Sequence, residues 1–300
     1  MRRVLVLLTL AATLLTGCGS VRLETTDPAP AEPGPAEQQR QALAVTAERL
    51  AEVAEHALAQ ADGDVAEVLA AVAADARTHL QVLGGVWRPS GRYAQELAPR
   101  GDADDVLAQL TAAAAQDRAA AADADAGAAG LLVGLSLSRQ LRADQLATAL
   151  GEEPLVVEPA LPDALDPAPA ADLVRTYDAL GQAWEVVAAR SQAEARADAA
   201  AQAERWRASA QDLAQLAGVA DSPEDPRLVA YALDDDDLAA TIDDLVADLV
   251  PCWLAQVPAT SGEDRLRVVQ QALAAAHDAG LDRPGADLPP LPGLAAEASG

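Results

Sequence analysis

The sequence predicts an all-α protein, two four-helix bundles in tandem behind a signal peptide and a proline-rich tether. Three observations carry that expectation. Apolar residues recur at spacings of three and four through most of the chain, which is the period of one helix face. No run of alternating apolar and polar residues is long enough for a strand. Three Pro-rich stretches, Asp27–Glu37, Glu153–Ala170 and Asp282–Gly300, interrupt the helical pattern and leave two comparable halves between them.

The first element is the N-terminal apolar run. Arg2 and Arg3 precede Val4–Leu15, a stretch too short to cross a bilayer core of about 30 Å as a helix. A positive end, a short apolar run and small residues together make a signal peptide, residues 1–17. Leu15-Thr16-Gly17-Cys18 resembles the lipobox of bacterial lipoproteins. That resemblance implies cleavage before Cys18 and a diacylglycerol on its thiol, so Cys18 is the expected lipid attachment residue. Residues 18–37 then form a tether. At about 3.1 Å per residue for Pro-rich chain, it reaches on the order of 50 Å. The expected location is the cell membrane, lipid-anchored on its extracytoplasmic face.

Charge narrows the partners. The formal net charge is −26, and all 21 basic residues are arginine. Such a surface repels phosphate backbones, which excludes nucleic acid as a partner. The chain has no Lys, Phe or Asn and a single Ile, Ile242. A GC-rich genome explains those gaps without any functional reason. Cysteine use is equally restrictive: with Cys18 lipidated, Cys252 has no partner in the chain, and a disulfide framework is excluded. Cys252, beside Trp253, is expected as a small apolar core residue.

The N-terminal bundle, residues 38–152, is expected to hold four helices. Leu43, Leu50, Ala54 and Ala57 mark the first. Val65, Leu69, Val72, Ala76, His79 and Leu83 mark the second, which ends at Gly84-Gly85. Val106, Leu107 and Leu110 lie on the third, and Leu131–Leu150 forms the fourth. Residues 153–170 make a linker. In the second bundle, residues 171–281, Leu173, Tyr177, Leu180, Trp184 and Val187 share one face. Ala199, Ala203, Trp206, Ala210, Leu213 and Ala217 share another, and their helix ends at Gly218. Leu238, Ile242, Leu245 and Leu249 define a third helix, stopped or kinked at Pro251. Leu266, Val269, Leu273 and Ala276 define a fourth, ending at Gly280. Residues 282–300 read as a disordered tail. The halves echo each other weakly: His79–Val86 resembles Asp212–Val219, and each is followed by a loop bearing a tyrosine, Tyr93 or Tyr231.

Residues 171–279 also resemble a ferritin-like domain of unknown function common in secreted and lipid-anchored actinobacterial proteins. The likeness rests on the Tyr- and Gly-bearing helix Leu173–Arg190, the Arg-rich stretch Ala203–Leu233 with its Gly stop and Pro loop, and the Arg-bearing Glu263–Ala279. The family's usual His at the start of the second helix is absent, since Glu204-Arg205 stand there. The resemblance implies a four-helix up-down fold and no function.

Ferritin-like di-metal sites use a Glu-x-x-His pair on two helices. Val53, Ala76 and Ala274 stand three residues before His56, His79 and His277, so no such pair exists and neither a metal nor another cofactor is expected. His79 lies on an apolar stripe and should bond a partner inside the bundle, whereas His56 should face solvent. Asp234–Asp237 lack calcium-loop spacing and are expected to cap the following helix. Gly134–Ser138 lacks the last glycine of a nucleophile elbow and reads as core helix. One loop departs from the acidic background: Val86–Gly101 carries Trp87, Arg88, Arg92, Tyr93 and Arg100. Arginine and aromatic side chains on a loop suit an anionic or glycan partner. They also suit a plain structural role, with the arginines offsetting acidic helices and the aromatic rings plugging the bundle end.

These features favour a lipid-anchored helical scaffold or binding protein of the cell envelope, without catalytic activity, that meets an envelope protein or glycan. A ferritin-like metal oxidase or storage protein is the alternative and needs carboxylates in the core, where the stripes hold almost only Leu, Val, Ala, Trp and Tyr. A substrate-binding lipoprotein of a transporter needs strands.

Overall fold

The computed structural model describes residues 33–88, 100–154, 159–234 and 236–294. The chain divides into two units, Met1–Gln38 and Gln39–Gly300. The lipobox cysteine Cys18 and the tether to residue 32 lie outside the described residues, as do Arg92 and Tyr93. Among the described residues the protein is all-helical, without a strand. No helix there is long and apolar enough to cross a membrane.

The elements are α1 (Pro35–Leu58), α2 (Gly63–Val82), α3 (Ala103–Ala122), α4 (Ala126–Leu150), α5 (Pro167–Arg190), α6 (Ala193–Leu216), α7 (Leu238–Leu254), a 3-10 turn (Val257–Ala259) and α8 (Gly262–Asp278). Four of the starts follow capping chemistry. Asp102 accepts from the Asp105 amide at 3.1 Å while Asp105 accepts from the Asp102 amide, a reciprocal capping box for α3. Asp125, Asp166 and Asp237 cap α4, α5 and α7 in the same acceptor role. The capping expected of the Asp234–Asp237 run is therefore carried by Asp237. Stops are also shared. In α2 the Gly85 amide donates to Leu80 and the Gly84 amide to Gln81; in α6 the Val219 amide donates to Ala214 and the Gly218 amide to Gln215. Both are the paired hydrogen bonds of a Schellman stop, so the echoed segments His79–Val86 and Asp212–Val219 end their helices alike.

Four of the sequence-derived boundaries move. α4 begins at Ala126 rather than near Leu131, because Asp125 caps it there. α5 takes in the end of the expected linker: Pro167 occupies the first helical turn, where its missing N–H costs nothing. α1 begins at Pro35, inside the expected tether; α7 continues through Pro251 to Leu254, which leaves only the kink of the two expectations there.

The two halves share a core. Leu132, Val133, Leu137 and Leu141 of α4 pack in one apolar cluster with Leu173 and Leu180 of α5, Leu213 of α6, Trp253 of α7 and Val269 of α8. Ala143 and Leu146, further along α4, belong to the cluster built from α1, α2 and α3. Every residue from Leu132 to Ala147 is buried. α4 is thus a central helix covered on all sides, which is why it carries no single apolar stripe.

Residues 282–294 correct the expected disordered tail. Leu288 is buried at 4 % exposure, and the Pro292 carbonyl oxygen lies 3.2 Å from where a Cβ on Gly134 would stand. Composition misled here because Pro and Gly also suit a strap laid closely along a helix. The absent side chain at Gly134 is what admits that strap.

Candidate ligand-binding groove

A groove of about 460 Å³ opens among α5, α6, α7 and the end of α8. Its apolar lining is Trp184 of α5, Trp206 of α6, and Ile242 and Val246 of α7. The stripes predicted both tryptophans as core positions. The structure leaves both half-buried, although Leu173 and Leu180 on the same stripe as Trp184 are fully buried. The cause lies in α7. Its buried residues are Leu249, Val250, Trp253 and Leu254, all in its C-terminal part, so its N-terminal part covers the indoles incompletely.

Behind the groove Tyr177 joins Trp206 and Trp253 in one aromatic cluster. Tyr177 meets Trp206 with ring centroids 5.4 Å apart and tilted 56°. It meets Trp253 edge-on at 6.5 Å, both favourable ring arrangements. The Trp253 indole N–H donates to the Tyr177 hydroxyl at 3.2 Å, and burial pushes that hydroxyl up to about 12. The polar rim holds Gln202, Arg205 and Ser209 on α6, Asp243 on α7 and Asp278, the last residue of α8. Partial burial raises the Asp278 carboxyl, with His277 opposing. The Trp206 indole N–H is buried without a hydrogen-bond partner among the described residues.

The interior also holds charges that the apolar stripes concealed. Arg139 and Asp117, with side chains 1 % and 2 % exposed, pair at 2.5 Å. Burial pushes the Asp117 carboxyl up to about 6 against the attraction of Arg139. Arg142 pairs with Asp75 at 2.6 Å, and His277 with Asp144 at 3.0 Å. Asp178 binds Arg207 at 2.5 Å and accepts from the Tyr231 hydroxyl at 2.9 Å. Each of these four buried carboxylates is held by a cationic or ionisable partner, as a charge in low dielectric requires. Among the described residues no group of three or more His, Cys, Asp and Glu side chains is placed to hold a metal ion. A cavity of about 10 Å³ lies beside Ser138, Arg139, Asp75 and His79. The Ser138 hydroxyl and the Nε and Nη2 atoms of Arg139 have no partner among the described residues, and the space suits one water.

The His79 Nε2 lies 2.6 Å from the Pro290 carbonyl oxygen, so His79 does bond inside, although its partner comes from the C-terminal strap. His56 is exposed. Cys252 is only half-buried, 3.9 Å from the Thr176 hydroxyl, and burial raises its thiol. In the loop, Trp87 is 48 % exposed and does not plug the bundle. Its backbone is pinned by Gln41, which donates to the Trp87 carbonyl and accepts from the Trp87 amide, both at 3.0 Å. Arg88 pairs with Glu48 at 2.5 Å, the charge-offsetting role. Arg100 is exposed at the start of the α3 approach.

Two residues of the stretches compared with the ferritin-like family, Gly181 and Arg265, have structural roles. Gly181 lets the Arg207 side chain cross α5 to Asp178 and Glu185. Arg265 donates to the Ala121 and Ala124 carbonyls at 2.6 and 2.7 Å, closing the C-terminus of α3. No family model matches the chain, and neither a curated protein nor a solved structure matches it.

Proposed function

We propose that this chain is a lipid-anchored helical binding protein held on the extracytoplasmic face of the cell membrane, with no catalytic activity. The lipobox at Leu15–Cys18 and the Pro-rich tether support the anchor. The aromatic groove supports the binding role, and it is the observation that carries it: a concave site of about 460 Å³ falls within the size range of ligand pockets. In this reading residues 38–152 and 171–281 are two four-helix bundles fused through α4, the second of the ferritin-like type, in an actinobacterial envelope protein. The partner is an envelope protein or an envelope glycan.

The test has two parts. Metabolic labelling with a radioactive fatty acid should mark the wild-type chain and leave Cys18→Ser unlabelled and released from the membrane fraction. Photo-crosslinking from position 202 on the groove rim should then trap a partner in living cells. A labelled Cys18→Ser chain would remove the anchor, and a groove that traps nothing would remove the envelope protein or glycan as its partner. The metal-storage alternative predicts stoichiometric iron or manganese on the purified chain after desalting.

A further inference from the structure

We propose that the ligand of the aromatic groove is an organic ammonium cation with an apolar body. This inference rests on the binding-protein reading above and gives that site its ligand class. Three observations point the same way. First, Trp184 and Trp206 present two indoles beside Ile242 and Val246. An apolar body is desolvated well by such a lining, and indole faces attract cations more strongly than any other ring. Second, the rim carries two carboxylates, Asp243 and Asp278, against the single guanidinium of Arg205. Asp278 closes α8, where the helix dipole is negative, so its carboxylate adds like charge and a nearby cation is favoured. Third, the whole chain carries −26, a field that concentrates cations at its surface and repels anions. Gln202 and Ser209 complete the rim with neutral hydrogen-bonding groups that suit polar substituents on the ligand.

The geometry separates this class from its rivals. A neutral ligand of the same shape would gain from the indoles and nothing from Asp243 and Asp278. An anionic one would gain from Arg205 and meet both carboxylates.

The experiment titrates the full chain, in a non-ionic sugar-headgroup detergent, with benzyltrimethylammonium, benzyl alcohol and phenylacetate. Tryptophan fluorescence reports the groove, since it holds two of the four tryptophans in the chain. Saturable quenching by benzyltrimethylammonium should be about tenfold tighter than by benzyl alcohol, with phenylacetate weakest. Asp243→Asn with Asp278→Asn should reduce that preference to the part the two indoles supply, with benzyltrimethylammonium losing much more affinity than benzyl alcohol. Trp184→Ala should weaken all three probes at an unchanged helical circular-dichroism spectrum; if that variant unfolds, the two exchanged carboxylates decide alone. Equal affinities for the cation and the alcohol, tighter phenylacetate, or no saturable quenching would overturn the assignment. A partner crosslinked at position 202 alongside a failed titration sinks the ligand class and leaves the binding role standing. A successful titration with no crosslink does the reverse for a macromolecular partner.

Discussion

Gly181 decides how closely α5 and α6 approach. A Cβ there would stand 2.7 Å from Cδ of Arg207, and Arg207 cannot swing away freely because Asp178 and Glu185 hold it. Mid-helix Gly→Ala normally gains up to about 1 kcal/mol from propensity alone. Here Gly181→Ala should instead destabilise by about 1–3 kcal/mol, as overpacking does. The sign is read from urea denaturation. In Gly181→Ala with Arg207→Ala the clash disappears, so the two losses should add to less than their sum. A stabilised single variant would show that Arg207 yields at no cost.

Two histidines set opposite pH dependences. Burial lowers His79 from 6.5 to about 4, outweighing its bond to Pro290. Its neutral form belongs to the folded state, so its contribution is complete above pH 6.5 and is lost as pH falls towards 4. His277 is raised by its hydrogen bond to Asp144, with burial opposing. Its contribution is complete below 6.5 and is lost as pH rises through its elevated folded value. Stability measured across pH 4–9 should therefore show two slopes, the acid one flattened in His79→Gln and the alkaline one in His277→Gln. A curve unchanged by either substitution would deny both assignments.

At the scale of elements, the C-terminal strap is the sharpest test. It supplies the Leu288 side chain to the shared core, the Leu288 carbonyl to Arg142 at 3.4 Å, and the Pro290 carbonyl to His79. Ending the chain after Leu281 should lower stability by more than about 2 kcal/mol, the order of one buried leucine lost to water, with a visible fall in melting temperature. A truly loose tail would be removed without effect.

How much of this was legible in the sequence depends on how each element is covered. α1, α2, α5 and α8 are buried on one face, and their three- and four-residue spacings gave them away. α4 is covered all round, so "SLSRQLRADQ" mixes polar and apolar residues on every face and carries no stripe that separates core from solvent. Each of its buried charges finds its partner far along the chain: Arg139 at Asp117, Arg142 at Asp75, Asp144 at His277. Spacing cannot reveal pairs of that kind. His79, on an apolar stripe, is the sequence's pointer to a polar group bonded inside. The groove was hidden for a different reason: periodicity places Trp184 and Trp206 on the inner face but does not say where α7 stops covering them.

For the whole molecule, the shared core predicts joint unfolding. Leu132–Leu141 of α4 cannot separate from α5–α8 without exposing apolar surface on both sides. Denaturation followed by circular dichroism and by tryptophan fluorescence should give one coincident transition. Two transitions would mean that the halves hold themselves together independently.

The buried position of α4 also has a consequence in time. A chain emerging from its N-terminus presents α4 when α1–α3 already exist and α5–α8 do not. One flank of that helix, with the Asp144 carboxylate and the Gln145 amide on it, must wait bare for more than a hundred residues until His277 and Leu281 arrive. A half-made chain is thus sticky and unfinished, and its last few turns act as the latch that completes it.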